Sequence, residues 1–135
     1  MKTYYETIVL ILNELDLCQD KRFHEYIKEK TEFITPEFSE FAGCYLLNGT
    51  LVAKVPFPVN NKMKSIAIHE MGHLYDTYRY HKIIDNEDTA LLWELKYLYS
   101  IDDQLLLAGR LQEIYANKSS NKYKSLIKES VNKSV

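Results

Sequence analysis

Thiols are scarce in this chain. Cys18 and Cys44 are the only cysteines, too few for a disulfide-stapled scaffold. With no secretory context they read as reduced, buried small residues. Long apolar runs are missing too: no stretch approaches the ~18 residues that a membrane span needs. The apolar patch near the N-terminus carries Glu6, Glu14 and Asp16 and no small-residue cleavage site, so it does not read as a signal peptide. Neither sign of charge dominates. Seventeen Lys and Arg stand against nineteen Asp and Glu, for a formal net charge of −2, and no basic field calls for nucleic acid or an anionic membrane. The expectation is a soluble, cytoplasmic protein without a nucleic-acid or membrane partner. Repeats and low-complexity tracts are also absent.

What is present is an ordinary globular balance, with 46% hydrophobic and 27% charged residues over 135 positions. That is one domain's worth of chain with enough apolar residues for a modest core. Tyr4, Tyr5, Ile8, Ile11, Leu12 and Leu15 have amphipathic-helix spacing. A second short helix is predicted around Lys21 to Lys30, with His24 on its polar, exposed side. "TPEFSEFAGC" reads as a connector punctuated by Pro36 and Gly43. Asn48-Gly49 between two apolar runs signals a hairpin, because both residues tolerate positive φ. Strands are predicted at Cys44–Leu47 and Thr50–Val55. Pro56 and Pro58 lack amide donors, which makes Lys54–Val59 an edge or a strand exit. A helix follows from about Lys62 to Tyr80, then an apolar one from Thr89 to Tyr99. Ser100 and Asp103 form a Ser-x-x-Asp capping pattern that opens another helix to about Asn117. The fold class expected is α+β: a small antiparallel sheet flanked by helices.

The segment "SIAIHEMGHLYDTYRYH", Ser65 to His81, carries the chemistry. Two histidines four positions apart lie one turn apart on one helix face, so both imidazoles can reach one tetrahedral ion. Glu70 follows His69 directly and sits about 100° round the helix, beside the ion, where it can take a proton from a metal-bound water. His-Glu-x-x-His therefore reads as two ligands plus a general base. The competing reading is a half-buried helix whose histidines are merely satisfied polar residues. The order of elements, an apolar helix directly after a hairpin, favours the metal, because an exposed strand edge could hold an extended peptide above it. Asp76, three residues past His73, could accept a proton from a ligand imidazole or be a solvated helix carboxylate. Trp93 reads as a core anchor.

On the strength of "HEMGH", the stretch from about Cys44 to Asn117 resembles the zincin metallopeptidases. It is most similar to small gluzincins, the ImmA/IrrE-type regulatory peptidases and the anthrax lethal-factor-like peptidases. The metzincin pattern is excluded, since the positions of its glycine and third histidine hold Asp76 and Arg79; His81 falls two residues too late. The resemblance implies a single zincin-like domain over 1–135, with a helical part at 1–40, a catalytic core at 44–117 and a tail helix at 118–135. It also implies a zinc ion whose third ligand is a glutamate on a later helix. Glu113, in "RLQEIYANK", resembles the gluzincin pattern Glu-x-x-Ala-(Asn/Asp), in which Asn117 would orient a ligand histidine. Glu94 is the alternative. It lies 21 residues after His73, as in thermolysin-like enzymes, and its helical neighbours Ala90, Leu91, Tyr97 and Leu98 are apolar, where a lone carboxylate is costly unless paired or metal-bound. If Glu113 binds the ion, Glu94 is left to hydrogen-bond a ligand histidine or a tyrosine. Glu87 reads as a first-turn helix glutamate suited to the macrodipole. Gluzincins commonly stabilise the oxyanion with a tyrosine or histidine, which makes Tyr97, Tyr99 and Tyr115 candidates.

The activity implied is zinc-dependent hydrolysis of a peptide or protein substrate, with Glu70 as general base and the Val52–Phe57 edge aligning the substrate. Two alternatives stand beside it: a non-catalytic zincin-like binding or regulatory module, and a toxin or effector protease.

Overall fold

The computed structural model describes residues 3–83 and 86–116. Helix α1 (Tyr4–Glu14) opens with the reciprocal cap that Thr3 and Glu6 encode: the Glu6 amide donates to Thr3 Oγ1 and the Thr3 amide to a Glu6 carboxylate oxygen. Its buried stripe is Ile8, Ile11 and Leu12. Helix α2 (Lys21–Lys30) is capped by Asp20 and buries Phe23, Ile27 and His24. His24 is thus inside and not on the surface. Its ring nitrogen Nε2 lies 2.9 Å from the carbonyl of Cys18, which gives the imidazole a partner and allows it to be buried.

Three strands follow: β1 (Thr31–Ile34), β2 (Gly43–Leu47) and β3 (Thr50–Pro56), with a 3-10 segment at Pro36–Phe41 between the first two. The hairpin forms where Asn48-Gly49 places it. Both residues have positive φ, 52° and 79°, and Leu47 pairs with Thr50. The sheet, however, is mixed and not antiparallel, and its order is β1-β3-β2. β1, four residues between the predicted second helix and the connector, pairs parallel to β3. β3 is therefore the central strand: within the edge expected at Val52–Phe57, β1 pairs with Ala53–Pro56 and β2 with residues up to Lys54. Pro56 is compatible with this position. Successive amides point to opposite edges, and Phe57 donates to Ile34 on the β1 side. The Pro56 nitrogen then faces the β2 side, where pairing has already ended at Gly43 with Lys54.

Helix α3 (Asn61–Tyr80) packs Met63, Ala67, Ile68, Met71 and Leu74 into the core that Ala53 and Val55 of β3 also enter. Helix α4 (Asp88–Ser100) lies against α3, and α5 (Gln104–Ala116) follows it. Asp103 caps α5 by accepting from the Leu106 amide, while the Ser100 hydroxyl bonds back to the Tyr97 carbonyl. The anticipated Ser-x-x-Asp box is therefore divided between the end of one helix and the start of the next. Phe23, Tyr75 and Trp93 join α2, α3 and α4 in one aromatic cluster, with ring centroids 5.1–6.2 Å apart. Among the described residues no helix is long and apolar enough to cross a membrane. The architecture is α+β.

One contact sets the separation of α3 and α4. A Cβ on Gly72 would lie 2.6 Å from Ala90 Cα and 2.9 Å from its nitrogen, so only glycine lets the two backbones meet here. Gly72→Ala gains helix propensity of ~1 kcal/mol but must push the helices apart, and overpacking typically costs about 1–3 kcal/mol. The expected result in denaturant titration is a net loss of stability. A variant as stable as the parent would show that the contact is not constrained.

Candidate metal centre

His69 and His73 leave α3 on successive turns of one face, as their spacing requires. The group that meets them comes from the segment before α4. Glu87 stands at the N-cap position of that helix without capping it. The amide of Asp88 is instead served by Asn86 Oδ1 at 3.1 Å, which leaves the Glu87 carboxylate to point across to α3. One of its oxygens, Oε2, accepts from Nε2 of His69 and from Nε2 of His73, both at 2.9 Å. The start of α4 is pinned to α3 by Asp76. Its buried Oδ1 accepts from the Thr89 hydroxyl at 2.9 Å and from Arg79 at 3.0 Å. Asp76 is thus neither of the two things its position suggested: it contacts neither imidazole and is not solvated. It holds the helix whose first turn carries Glu87.

The expected third ligand needs correcting. Glu113 does not face the histidines. Its carboxylate stands on the wall of a cavity beside His69, 70% exposed, and pairs with Arg110 at 3.0 Å. Glu94 is buried but sits behind His69, accepting from Nδ1 at 2.7 Å; Nε2 points the other way, toward Glu87. Among the described residues, His69, His73 and Glu87 form the group whose ligand atoms converge, all within 4.8 Å of one another. The signal that could have identified Glu87 is its place in the short connection between the motif helix and the next, where a backbone turn can aim it back at α3.

The remaining expected residues fall away from this point. The Tyr97 hydroxyl bonds to Asn61. Tyr99 packs against the core and Tyr115 is exposed. No tyrosine among the described residues lines the cavity beside His69. Asn117 and the proposed tail at 118–135 lie outside the described residues. That cavity, of about 420 Å³, is bounded by His69 and Glu70 at one end, by Ile66, Leu98 and Leu106, and by Arg110. Glu70 is buried on α3, with the Cys44 sulfur of β2 at 3.5 Å from its Oε1. That contact places β2, one of the two outer strands of the sheet, next to Glu70.

The electrostatics follow from these contacts. Burial alone would depress His69, but hydrogen bonds to Glu87 and Glu94 outweigh it and carry its pKa up to about 9. With a carboxylate oxygen within hydrogen-bond distance of each ring nitrogen, the contacts favour the imidazolium form in the metal-free chain. Glu87 is held far below its ordinary value by the hydrogen bonds from His69 and His73. Burial raises Glu70, against the pull of the two imidazoles. Burial and the neighbouring Glu70 carboxylate push the Cys44 thiol up, which favours its protonated form in the metal-free chain.

The donor set suits zinc. Ligands about 2.0–2.1 Å from a tetrahedral ion are separated by roughly 3.3 Å; the two contacts to Glu87 are 2.9 Å, and all three donor atoms lie within 4.8 Å of one another. Two imidazoles and one carboxylate leave a fourth position free, as in catalytic zinc sites. Compared with family models, curated proteins and solved structures, the chain matches none.

Proposed function

We propose that this chain is a zinc-dependent peptidase of the zincin type, with His69, His73 and Glu87 as the ligands and Glu70 as the general base. The observation that carries the reading is the convergence of the three donors at one point, with the buried Glu70 next to His69 on the wall of one cavity. A structural site has no use for such a base.

Zinc, when bound, supplies Lewis acidity toward a carbonyl and lowers the pKa of water. The chain's own residues do the rest. Glu70 accepts the proton of the attacking water and returns it to the leaving amine. Glu94 holds the Nδ1 proton of His69, so that Nε2 presents its lone pair to the ion. Strand β2, antiparallel to β3 and, among the described residues, unpaired on its other side, offers the edge along which an extended peptide can align. This edge takes the role assigned from sequence to Val52–Phe57. Ile66, Leu98 and Leu106 favour an apolar side chain in the adjoining cavity.

The expected result is about one zinc per chain, measured on purified protein, and loss of binding in His69→Ala and in His73→Ala. Affinity should rise with pH until His69 has lost its extra proton near 9, because protons compete with the metal below that value. Full occupancy in both variants would remove the site. Zinc binding without cleavage of any peptide in a mixed library would leave a non-catalytic zincin-like module as the better account.

A further inference from the structure

Glu94 is nearly buried, its side chain 7% exposed, and it does not stand alone. Arg110 of α5 reaches it with a two-pronged contact: Nε donates to Oε2 at 2.6 Å and Nη2 to Oε1 at 3.1 Å. The same Oε1 accepts from His69 Nδ1 at 2.7 Å. The guanidinium, the carboxylate and the imidazole thus form one continuous chain that ends at the ion-binding nitrogen. We infer that Arg110 is a positioning residue for the metal ligand His69, acting through Glu94. The inference rests on the metal-site reading above.

The physical case lies in what Glu94 must do. A buried carboxylate without a counter-charge is costly, and one held by a single hydrogen bond can rotate about its terminal torsion. The planar fork of an arginine satisfies both oxygens at once and fixes the plane of the carboxylate. With that plane fixed, Oε1 keeps a lone pair aimed at Nδ1, which sets the tautomer and the ring angle of His69. A lysine could supply the charge but not the plane. Arg110 also donates through Nη1 to Glu113 at 3.0 Å, but that carboxylate is 70% exposed, and such a pair contributes little. Helix α5 otherwise buries only Ile114 among its residues, so the Arg110–Glu94 contact is the polar tie between this helix and the metal centre.

The test is zinc affinity of the full chain by competition with a chromogenic chelator. Outer partners of a ligand histidine are typically worth 10–100-fold in affinity, and a residue acting through one of them belongs near the lower end. Arg110→Met should weaken zinc by about tenfold, Arg110→Lys by less, and Glu113→Ala should leave it unchanged. Glu94→Gln should cost at least as much as Arg110→Met, and the double variant no more than Glu94→Gln alone, because both act along one route. Parent-like affinity in Arg110→Met, or losses that multiply in the double variant, would overturn the inference. If Arg110→Met does not fold, Arg110→Lys decides through the exchange rate of the His69 Nδ1 proton in the zinc-loaded, ¹⁵N-histidine-labelled protein. Faster exchange is expected, and exchange and affinity both unchanged would overturn it. Failure of the parent chain to bind zinc would instead remove the metal-site reading itself, so the two failures are distinct.

Discussion

Glu87→Ala is expected to empty the zinc site under chelation too mild to strip the parent chain, while Glu113→Ala keeps its metal. The reasoning is geometric. Glu87 Oε2 is the carboxylate oxygen that lies 2.9 Å from both ion-facing nitrogens, whereas the Glu113 carboxylate is held by Arg110. Removing a ligand takes away a metal bond, so the loss should exceed the ~100-fold at the upper end of outer-partner effects. Glu94→Gln should fall between the two. The same variant carries a second readout that needs no metal. Glu87 is one of the two hydrogen-bonded carboxylates that raise His69, so in Glu87→Ala the metal-free imidazolium should lose its proton at lower pH, followed by NMR. Retention of zinc by Glu87→Ala with loss in Glu113→Ala would restore the ligand expected from the sequence pattern. Retention in both would mean that the carboxylate comes from elsewhere.

Glu70→Gln is expected to keep both fold and zinc but to lose roughly 10²–10⁴-fold in peptide hydrolysis, the usual worth of general-base help. The amide has the shape of the carboxylate, and its oxygen can still accept from the Cys44 thiol 3.5 Å away. It cannot take a proton from water. Packing and metal binding should therefore survive while turnover falls. Unchanged turnover would place the chemistry elsewhere or in a contaminant. Lost zinc would make Glu70 a support of the site and not its base.

These two outcomes also separate what can be read locally from what cannot. The four-residue histidine spacing, the glutamate beside it and the hairpin at Asn48-Gly49 depend on residues a few positions apart. Helix periodicity and positive-φ tolerance then determine their geometry, and the structure places them as expected. The helix at Lys21–Lys30 is legible for the same reason, although its periodicity did not reveal that His24 is buried. That depended on a carbonyl outside the helix, at Cys18. The sheet was read partly wrongly. The prolines after Val55 correctly signal missing donors. Whether a missing donor means an edge depends on a neighbour, and the four-residue β1 has too little pattern to announce itself.

The candidate centre divides along the same line. His69, Glu70 and His73 follow from the sequence by itself, because one helix presents them whatever surrounds it. The carboxylate that completes the group does not. Glu87, Glu94 and Glu113 are chemically alike, and local pattern favoured the one that points to solvent. Their roles are decided by how α4 crosses α3, at the distance Gly72 permits against Ala90 and in the register Asp76 imposes on Thr89. That crossing brings the first turn of α4 to the Nε2 side of the imidazoles and its second turn, with Glu94, to the Nδ1 side. It leaves Arg110 to neutralise Glu94, and Glu113 exposed on the cavity wall and paired with Arg110. Convergence of three side chains from two helices is a property of packing, and only the tertiary structure could assign it.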